Sequence, residues 1–275
     1  MVLMAIHSLS FIARSNSFLF SHIKGFQRTM QNLAIFDFDH TILDDNSDTA
    51  ILELVDKNEI PQEIKNIQFT DGWTAFMQAI FTYMYEKGVT VEQILSHVQS
   101  LQPVGGMVDL IRNLKMKLNY DLVVVSDSNS VFIKTWLEKH KLETCFTEIF
   151  TNPTKIVGGM FQISPYDDQD VCKLSTRNLC KGKVLDEFIK SQQENGIFYN
   201  KLVYVGDGSN DFCPILRLKE NDLACVRNNY KLLDLVQKAK RGKYVDNAGK
   251  PYMIKSLVCI WNTADDIADF LLSKN

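Results

Sequence analysis

Leu33-Ala34-Ile35-Phe36-Asp37-Phe38-Asp39-His40-Thr41 is the stretch from which the fold can be read. Leu33 to Phe36 is an apolar run, and it breaks off into two aspartates, a phenylalanine and a threonine. A short apolar run bounded by a turn signal reads as a buried strand. Strand alternation puts Asp37 and Asp39 on one side, with Phe38 pointing away. Two carboxylates ~4 Å apart at an effective dielectric of ~20 repel by roughly 4 kcal/mol. A cation must relieve that repulsion, or one group must hold a proton. A hard, oxygen-seeking ion such as Mg²⁺ suits the position. Taken by itself, the same stretch reads equally as a strand that ends in an acidic turn.

Two later strand ends decide between these readings. Leu122-Val123-Val124-Val125 runs into Ser126-Asp127-Ser128-Asn129. Leu202-Val203-Tyr204-Val205 runs into Gly206-Asp207-Gly208-Ser209-Asn210-Asp211. In an open parallel sheet, chemistry collects at the carboxyl ends of the strands. The succession DxDxT, SDSN and GDGxND, with a lysine between the second and third, resembles the haloacid dehalogenase superfamily of aspartate-nucleophile phosphatases. The resemblance covers the chain from about Asn32 to its C-terminus.

Strands that alternate with helices after Pro103 imply an α/β fold with a doubly wound parallel sheet. Between the first two strands, residues 46–102 read as an all-helical block. Asn46 or Ser47 caps its first helix, with Ile51, Leu54 and Val55 inside. Asp71 is expected to cap a longer helix bearing Trp73, Phe76, Met77, Ile80, Phe81 and Met84. Thr90 and Gln93 have the spacing of a capping box. The aromatic stripe reads as the core of this block. In the superfamily such an insert is a helical cap over the active site. The catalytic α/β core is then residues 31–45 and 103–275, with Gly158-Gly159 turning a hairpin inside Lys155 to Ser164.

Residues 1–30 stand apart. Met1 to Phe36 contains no Asp or Glu, and its firm charges are Arg14, Lys24 and Arg28. That composition fits a mitochondrial presequence, while Met30 fits an upstream extension of the start. Either reading leaves the segment outside the folded domain.

The 275 residues suit one or two domains. A net charge of -3 carries no nucleic-acid signature, and no stretch reaches the length of a membrane span. The cysteines at 145, 172, 180, 213, 225 and 259 are scattered and lie partly in apolar runs. They read as free thiols in a reducing compartment, which points to the cytoplasm, with the mitochondrion as the alternative. The sequence carries no reading of oligomeric state.

The superfamily resemblance implies a role for each matching position. Asp37 is the nucleophile that forms an aspartyl-phosphate. Asp39 is the general acid to the leaving oxygen and then the base for water. Mg²⁺ is held by Asp37, Asp207 and the main-chain oxygen of Asp39, and Asp211 supports the metal's waters from further out. Ser126 donates to the phosphoryl oxygens, and a lysine completes the charge clamp. Lys181 and Lys183 both qualify by spacing, and the resemblance favours Lys181. More narrowly, FDFDHTILDDNSD, SDSNSVFI, NLCKGKVL and GDGSNDFCP resemble the phosphoethanolamine/phosphocholine phosphatase family, which includes pyridoxal phosphate phosphatase. That family places substrate contacts at Asp48 and Asp127, where carboxylates suit a cationic head group. Asp48 reads equally as a helix cap. Relatives carry a His/Cys-rich segment before the lysine. Here only Cys172 and Cys180 remain, with Ser175 where a third cysteine is expected. Two thiols without histidine predict no structural zinc.

The expected function is an Mg²⁺-dependent phosphatase acting on a small-molecule phosphate monoester, phosphoethanolamine/phosphocholine or pyridoxal 5'-phosphate. The competing readings are a phosphotransferase or mutase using the same aspartyl-phosphate, and a non-catalytic phosphoester-binding protein.

Overall fold

In the computed structural model, which describes residues 28–273, the chain runs through one parallel sheet, a helical insert and a hairpin. β1 (Thr29–Phe36) leads into the insert: α1 (Ser47–Ala50), a 3₁₀ turn (Ile51–Leu54), α2 (Gln62–Thr70), α3 (Trp73–Glu86) and α4 (Val91–Ser100). Then follow α5 (Met107–Met116), β2 (Tyr120–Asn129), α6 (Ser130–Lys139) and β3 (Glu148–Asn152). The hairpin is β4 (Thr154–Val157) and β5 (Met160–Ile163). The chain ends with α7 (Lys181–Glu194), β6 (Ile197–Gly206), α8 (Phe212–Ile215), β7 (Leu223–Arg227), α9 (Lys231–Lys240), β8 (Leu257–Trp261) and α10 (Ala264–Ser273).

The strand order is β3-β2-β1-β6-β7-β8, and each neighbouring pair is parallel. β1 is therefore flanked by β2 and β6, and the chain moves outward on both sides of it. This is the doubly wound α/β fold. The switch of direction opens a crevice at the carboxyl ends of β1 and β6, where such sheets bind ligands.

Alternation explains why the strands read as unbroken apolar runs. Ala34, Phe36, Leu122, Val124, Val203 and Val205 face one apolar cluster, shared with α5, α6 and α10. Leu33, Ile35, Val123, Val125 and Tyr204 face the other, under α7, α8 and α9. A sheet covered on both faces has no polar side to show.

The insert shares the first cluster. Phe76, Met77, Ile80, Phe81 and Met84 of α3 are buried with Phe132 and Trp136 of α6 and with Phe161 and Ile163 of β5. The ring of Phe81 stacks on Phe161 at 5.1 Å and meets Phe132 edge-on at 5.8 Å. Gln78 of α3 clamps the hairpin with both ends of its amide, donating to Phe161 O at 3.2 Å and accepting from Ile163 N at 2.9 Å. The glycine hairpin thus serves as a brace between core and insert.

Several expectations change. Asp71 ends α2, and the residue before α3 is Gly72. Gly72 sits at φ +93, a conformation for which glycine is suited, so the break falls there. The helix expected from residue 46 is only α1 and the 3₁₀ turn. α2 has little signal in the sequence, because it buries no residue fully and offers only Ile64 and Ile67 as a partial stripe. β8 has little either; as an edge strand it leaves Leu257 and Ile260 exposed, which weakens the apolar signal. The capping box of Thr90 and Gln93 is formed as expected. Thr29 and Met30 already belong to β1. The rest of the expected N-terminal extension, residues 1–27, lies outside the described residues. Among the described residues no helix is long and apolar enough to cross a membrane.

Candidate active site

β1 carries its ladder one residue past its end, with Asp37 N donating to Val205 O at 3.0 Å. The backbone then turns, and Phe38 N folds back to Asp37 Oδ1 at 2.7 Å. Phe38 itself points into the core against Trp136, edge to face at 5.6 Å. The two acids have different partners, and the charge of Asp37 still acts on Asp39. Asp37 Oδ2 lies 2.7 Å from Lys181 Nζ, whereas Asp39 Oδ1 accepts from Ser47 N at 2.8 Å at the start of the insert.

Lys181 is the first residue of α7 and is fully buried. Its ammonium bridges Asp37 and Asp211 Oδ1, the latter at 2.8 Å. Lys183, by contrast, pairs with Asp167 at the surface. A buried lysine requires such partners, since an unpaired ammonium loses its hydration without return. The neighbouring carboxylates hold its proton firmly and raise its pKa in spite of burial.

Asp211 has more partners than any other side chain here. Beyond Lys181 it accepts from Tyr204 OH at 2.7 Å and from the backbone N–H groups of Asp207 and Gly208 at 3.0 and 2.9 Å. It therefore shapes the loop after β6 from inside. Gly206 is required for this, because a Cβ there would stand 2.5 Å from Asp211 Oδ2. Asp207 is left facing Asp37, with Thr41 Oγ1 donating to its Oδ1 at 3.2 Å.

Carboxylate oxygens of Asp37, Asp207 and Asp211 all lie within 4.8 Å of one another, in a buried cluster. Three carboxylates against one ammonium leave two negative charges if all are ionised. Burial and the neighbouring acids accordingly push Asp37 up to about 6 and Asp207 up to about 8. Such a donor set of hard oxygens with uncompensated charge fits a divalent, oxygen-seeking cation.

Ser126 is buried at the end of β2, its hydroxyl accepting from Ser128 N at 3.3 Å. Asp127 is held by two amides, Asn210 Nδ2 at 2.7 Å and Asn178 Nδ2 at 3.3 Å, one on each of its oxygens. Asp48 does not cap α1; Asn46 does, accepting from Thr49 N at 2.9 Å. Asp48 instead receives the indole N–H of Trp73 at 2.7 Å, and its other oxygen, Oδ1, is buried beside the Asn129 amide without a hydrogen bond of good geometry. Burial raises Asp48 to about 6. Burial, followed by the charge of Asp48, raises Asp39 well above the ordinary carboxylate range.

Sequence reasoning missed several positioning groups. Tyr204 looked like an apolar strand residue, and Asn178 and Asn210 like motif filler. Ser47 Oγ and Ser128 Oγ meet at 2.8 Å and tie the insert to the end of β2. Arg227, at the end of β7, donates to His40 O at 2.6 Å and pairs with Asp44, while its guanidinium lies over the rings of Tyr230 and Trp261. It thereby fixes the turn that follows Asp39. Arg227 follows an apolar strand as the other site groups do, which is the one signal that could have marked it.

A family model described as Putative Phosphatase matches residues 32–275. The chain belongs to the Putative Phosphatase family. This phosphatase is 36% identical over 244 residues to the pyridoxal phosphate phosphatase of Mus musculus, covering 88% of this chain and 98% of the relative. It is 29% identical over 237 residues to the phosphoethanolamine/phosphocholine phosphatase of Homo sapiens, covering 86% of each. Its fold is similar to that of a phosphoserine phosphatase solved as a phospho-aspartyl intermediate analogue, with a TM-score of 0.53, 17% identity and coverage of 88% of this chain and 99% of that one. The phosphatase thus has the haloacid dehalogenase-like fold.

Proposed function

We propose that the crevice between β1 and β6 hydrolyses a small phosphomonoester, with Asp37 as nucleophile, with Asp37, Asp207 and the main-chain oxygen of Asp39 around an Mg²⁺ site, and with Asp211, both of whose oxygens are engaged by donors, supporting it from behind. The observation that carries this reading is the buried cluster of three carboxylates around a single buried lysine. When bound, the ion would offset the charge of the phosphoryl group and of Asp37.

The chain's own groups account for the rest. A carboxylate oxygen of Asp37 attacks phosphorus, and the bond to the leaving oxygen breaks. Asp39, whose proton is retained by burial and by the nearby Asp48, gives that proton to the leaving oxygen. Ser47 N–H holds Asp39 in place for the transfer. Water then attacks the aspartyl-phosphate, Asp39 takes its proton, and Asp37 is released as a carboxylate. Lys181 lies against Asp37 throughout and supplies positive charge where the phosphoryl oxygens gather. Ser126 supplies a hydroxyl donor from the end of β2.

For the leaving group we favour a nitrogen-bearing one, recognised by Asp48. Its Oδ1 is buried and makes no hydrogen bond of good geometry, although the Asn129 amide lies beside it, so it can accept from an N–H or face a cation. Trp73 stands on the other oxygen and packs on Phe76 at 5.1 Å between ring centroids, so an aromatic surface adjoins the acid. That combination favours pyridoxal 5'-phosphate, in line with the mouse relative. Phosphoethanolamine is the second reading, supported by the carboxylate alone. Phosphate release from a panel containing both esters, with and without Mg²⁺, tests the proposal. Release from neither ester at any Mg²⁺ concentration would favour a binding protein, and transfer to an added alcohol without net phosphate release would favour a phosphotransferase.

A further inference from the structure

We propose that Cys172, Cys180 and Cys213 form a zinc-binding site, distinct from the acidic crevice and completed by water or by the Ser175 hydroxyl. In the sequence only Cys172 and Cys180 share a segment, and two thiols carry no zinc site. The fold supplies a third. Cys213 arrives from α8, and its Sγ lies 3.3 Å from Cys172 Sγ and 3.6 Å from Cys180 Sγ. All three sulfurs lie within 4.8 Å of one another and are mostly withdrawn from solvent.

The spacing suits a metal better than a disulfide. Tetrahedral zinc at about 2.3 Å from each thiolate sets the sulfurs about 3.8 Å apart, a few tenths of an ångström from what is seen. A disulfide would bring one pair to about 2.05 Å and leave the third thiol unpaired. Thiols are also weak hydrogen-bond partners, so three of them in contact satisfy one another poorly.

Two further groups point to a ligand. The Ser175 hydroxyl is buried beside the Cys172 thiol and makes no hydrogen bond of good geometry. An oxygen of that kind is available as a fourth ligand or as a partner for a bound water. Arg217 Nη1 lies 3.1 Å from Cys213 Sγ. Its Nε pairs with Asp186 at 2.7 Å, which holds Nη1 against the sulfur as a donor to a thiolate. Binding forms three Zn–S bonds and releases three thiol protons to solvent, with no change of oxidation state.

The placement gives the site a structural consequence. Cys172 lies within residues 164–180, a stretch with neither helix nor strand. Around Cys172, Gln169 holds the stretch internally, donating to Cys172 O and Thr176 O at 3.3 and 2.6 Å and accepting from Cys172 N at 2.8 Å, while Arg177 pairs with Asp168 and Asn178 accepts from Tyr166 N. Cys180 caps the start of α7, immediately before Lys181. Cys213 follows Asp211 by two residues. A metal there would pin the long loop, the lysine-bearing helix and the turn after β6 to one another.

The test uses the full chain, purified under reducing conditions, loaded with zinc and passed over a chelating resin. About one zinc per chain should remain, and a mercurial thiol reagent should release it to a colorimetric zinc dye. Cobalt in place of zinc should give the near-ultraviolet charge-transfer band of thiolate ligation. Cys213→Ser should weaken zinc retention by about tenfold or more and shrink that band, whereas Cys145→Ser and Asp37→Asn should retain both. If Cys213→Ser fails to fold, the cobalt spectrum and mercurial release of the wild-type chain still read the site. Less than about a tenth of an equivalent of zinc, a cobalt spectrum without the thiolate band, or a mass about 2 Da low with two thiols lost would each overturn the proposal.

Discussion

Trp73 donates its indole N–H to Asp48 Oδ2 at 2.7 Å, so the first residue of α3 holds an acid of α1 at the mouth of the crevice. The other oxygen of Asp48 is buried and makes no hydrogen bond of good geometry, with the Asn129 amide beside it. Asp48→Asn should therefore lower kcat/KM for pyridoxal 5'-phosphate or phosphoethanolamine by about 1.5–3 kcal/mol, roughly 10- to 100-fold. A neutral aryl phosphate should change far less. Parallel kinetics on both ester types check this, and equal losses would assign Asp48 to the fold alone.

Asp127 is expected to behave differently. Both of its oxygens are engaged by the amides of Asn178 and Asn210. Asp127→Asn should lower kcat/KM for cationic and neutral esters to a similar degree, because it loosens the loops after β2 and β6. A loss confined to the cationic ester would return Asp127 to leaving-group recognition.

Lys181 and Asp37 form a buried pair, and each should be indispensable in its own way. Asp37→Asn should abolish turnover while circular dichroism stays unchanged, since the shape is kept and the proposed nucleophile is lost. Lys181→Met should abolish turnover and also cost about 3–5 kcal/mol in urea unfolding, because Asp37 and Asp211 remain buried without their cation. Lys183→Met, at the surface, should cost no more than about 1 kcal/mol. A Lys181→Met protein as stable as wild type would sink the ion-pair argument.

The acidic cluster predicts how stability follows pH. The folded state raises Asp37 to about 6 and Asp207 to about 8. An unfolded aspartate ionises near about 3.9. Without metal, the folded state keeps protons that the unfolded state has already lost, so stability should fall as pH rises from about 4 through about 8. Mg²⁺ binding needs the ionised carboxylates and displaces those protons, so its stabilisation should grow over the upper part of that range. Thermal melts in EDTA and in Mg²⁺ at several pH values test this. A Mg²⁺-induced shift in Tm that shrinks as pH rises would contradict the assigned site.

The sequence by itself determined which end of the sheet carries the candidate site. An apolar run that stops at a small polar or acidic residue needs only local chemistry to be read, and such stops in β1, β2 and β6 placed Asp37, Ser126 and Asp207 at the carboxyl end of a parallel sheet. Alternation likewise foretold that Phe38 turns from Asp37 into the core. The tertiary structure decided which partner each side chain has. Lys181 and Lys183 are two residues apart on one helix, and only the helix's rotation against β6 buries one and exposes the other. Asp48 was a possible cap until Trp73, 25 residues on, reached it. Cys213 joined Cys180 across 33 residues. Each of these contacts depends on how packed elements are turned and set against one another. That orientation comes from the summed burial of many side chains, and no local pattern of residues records it.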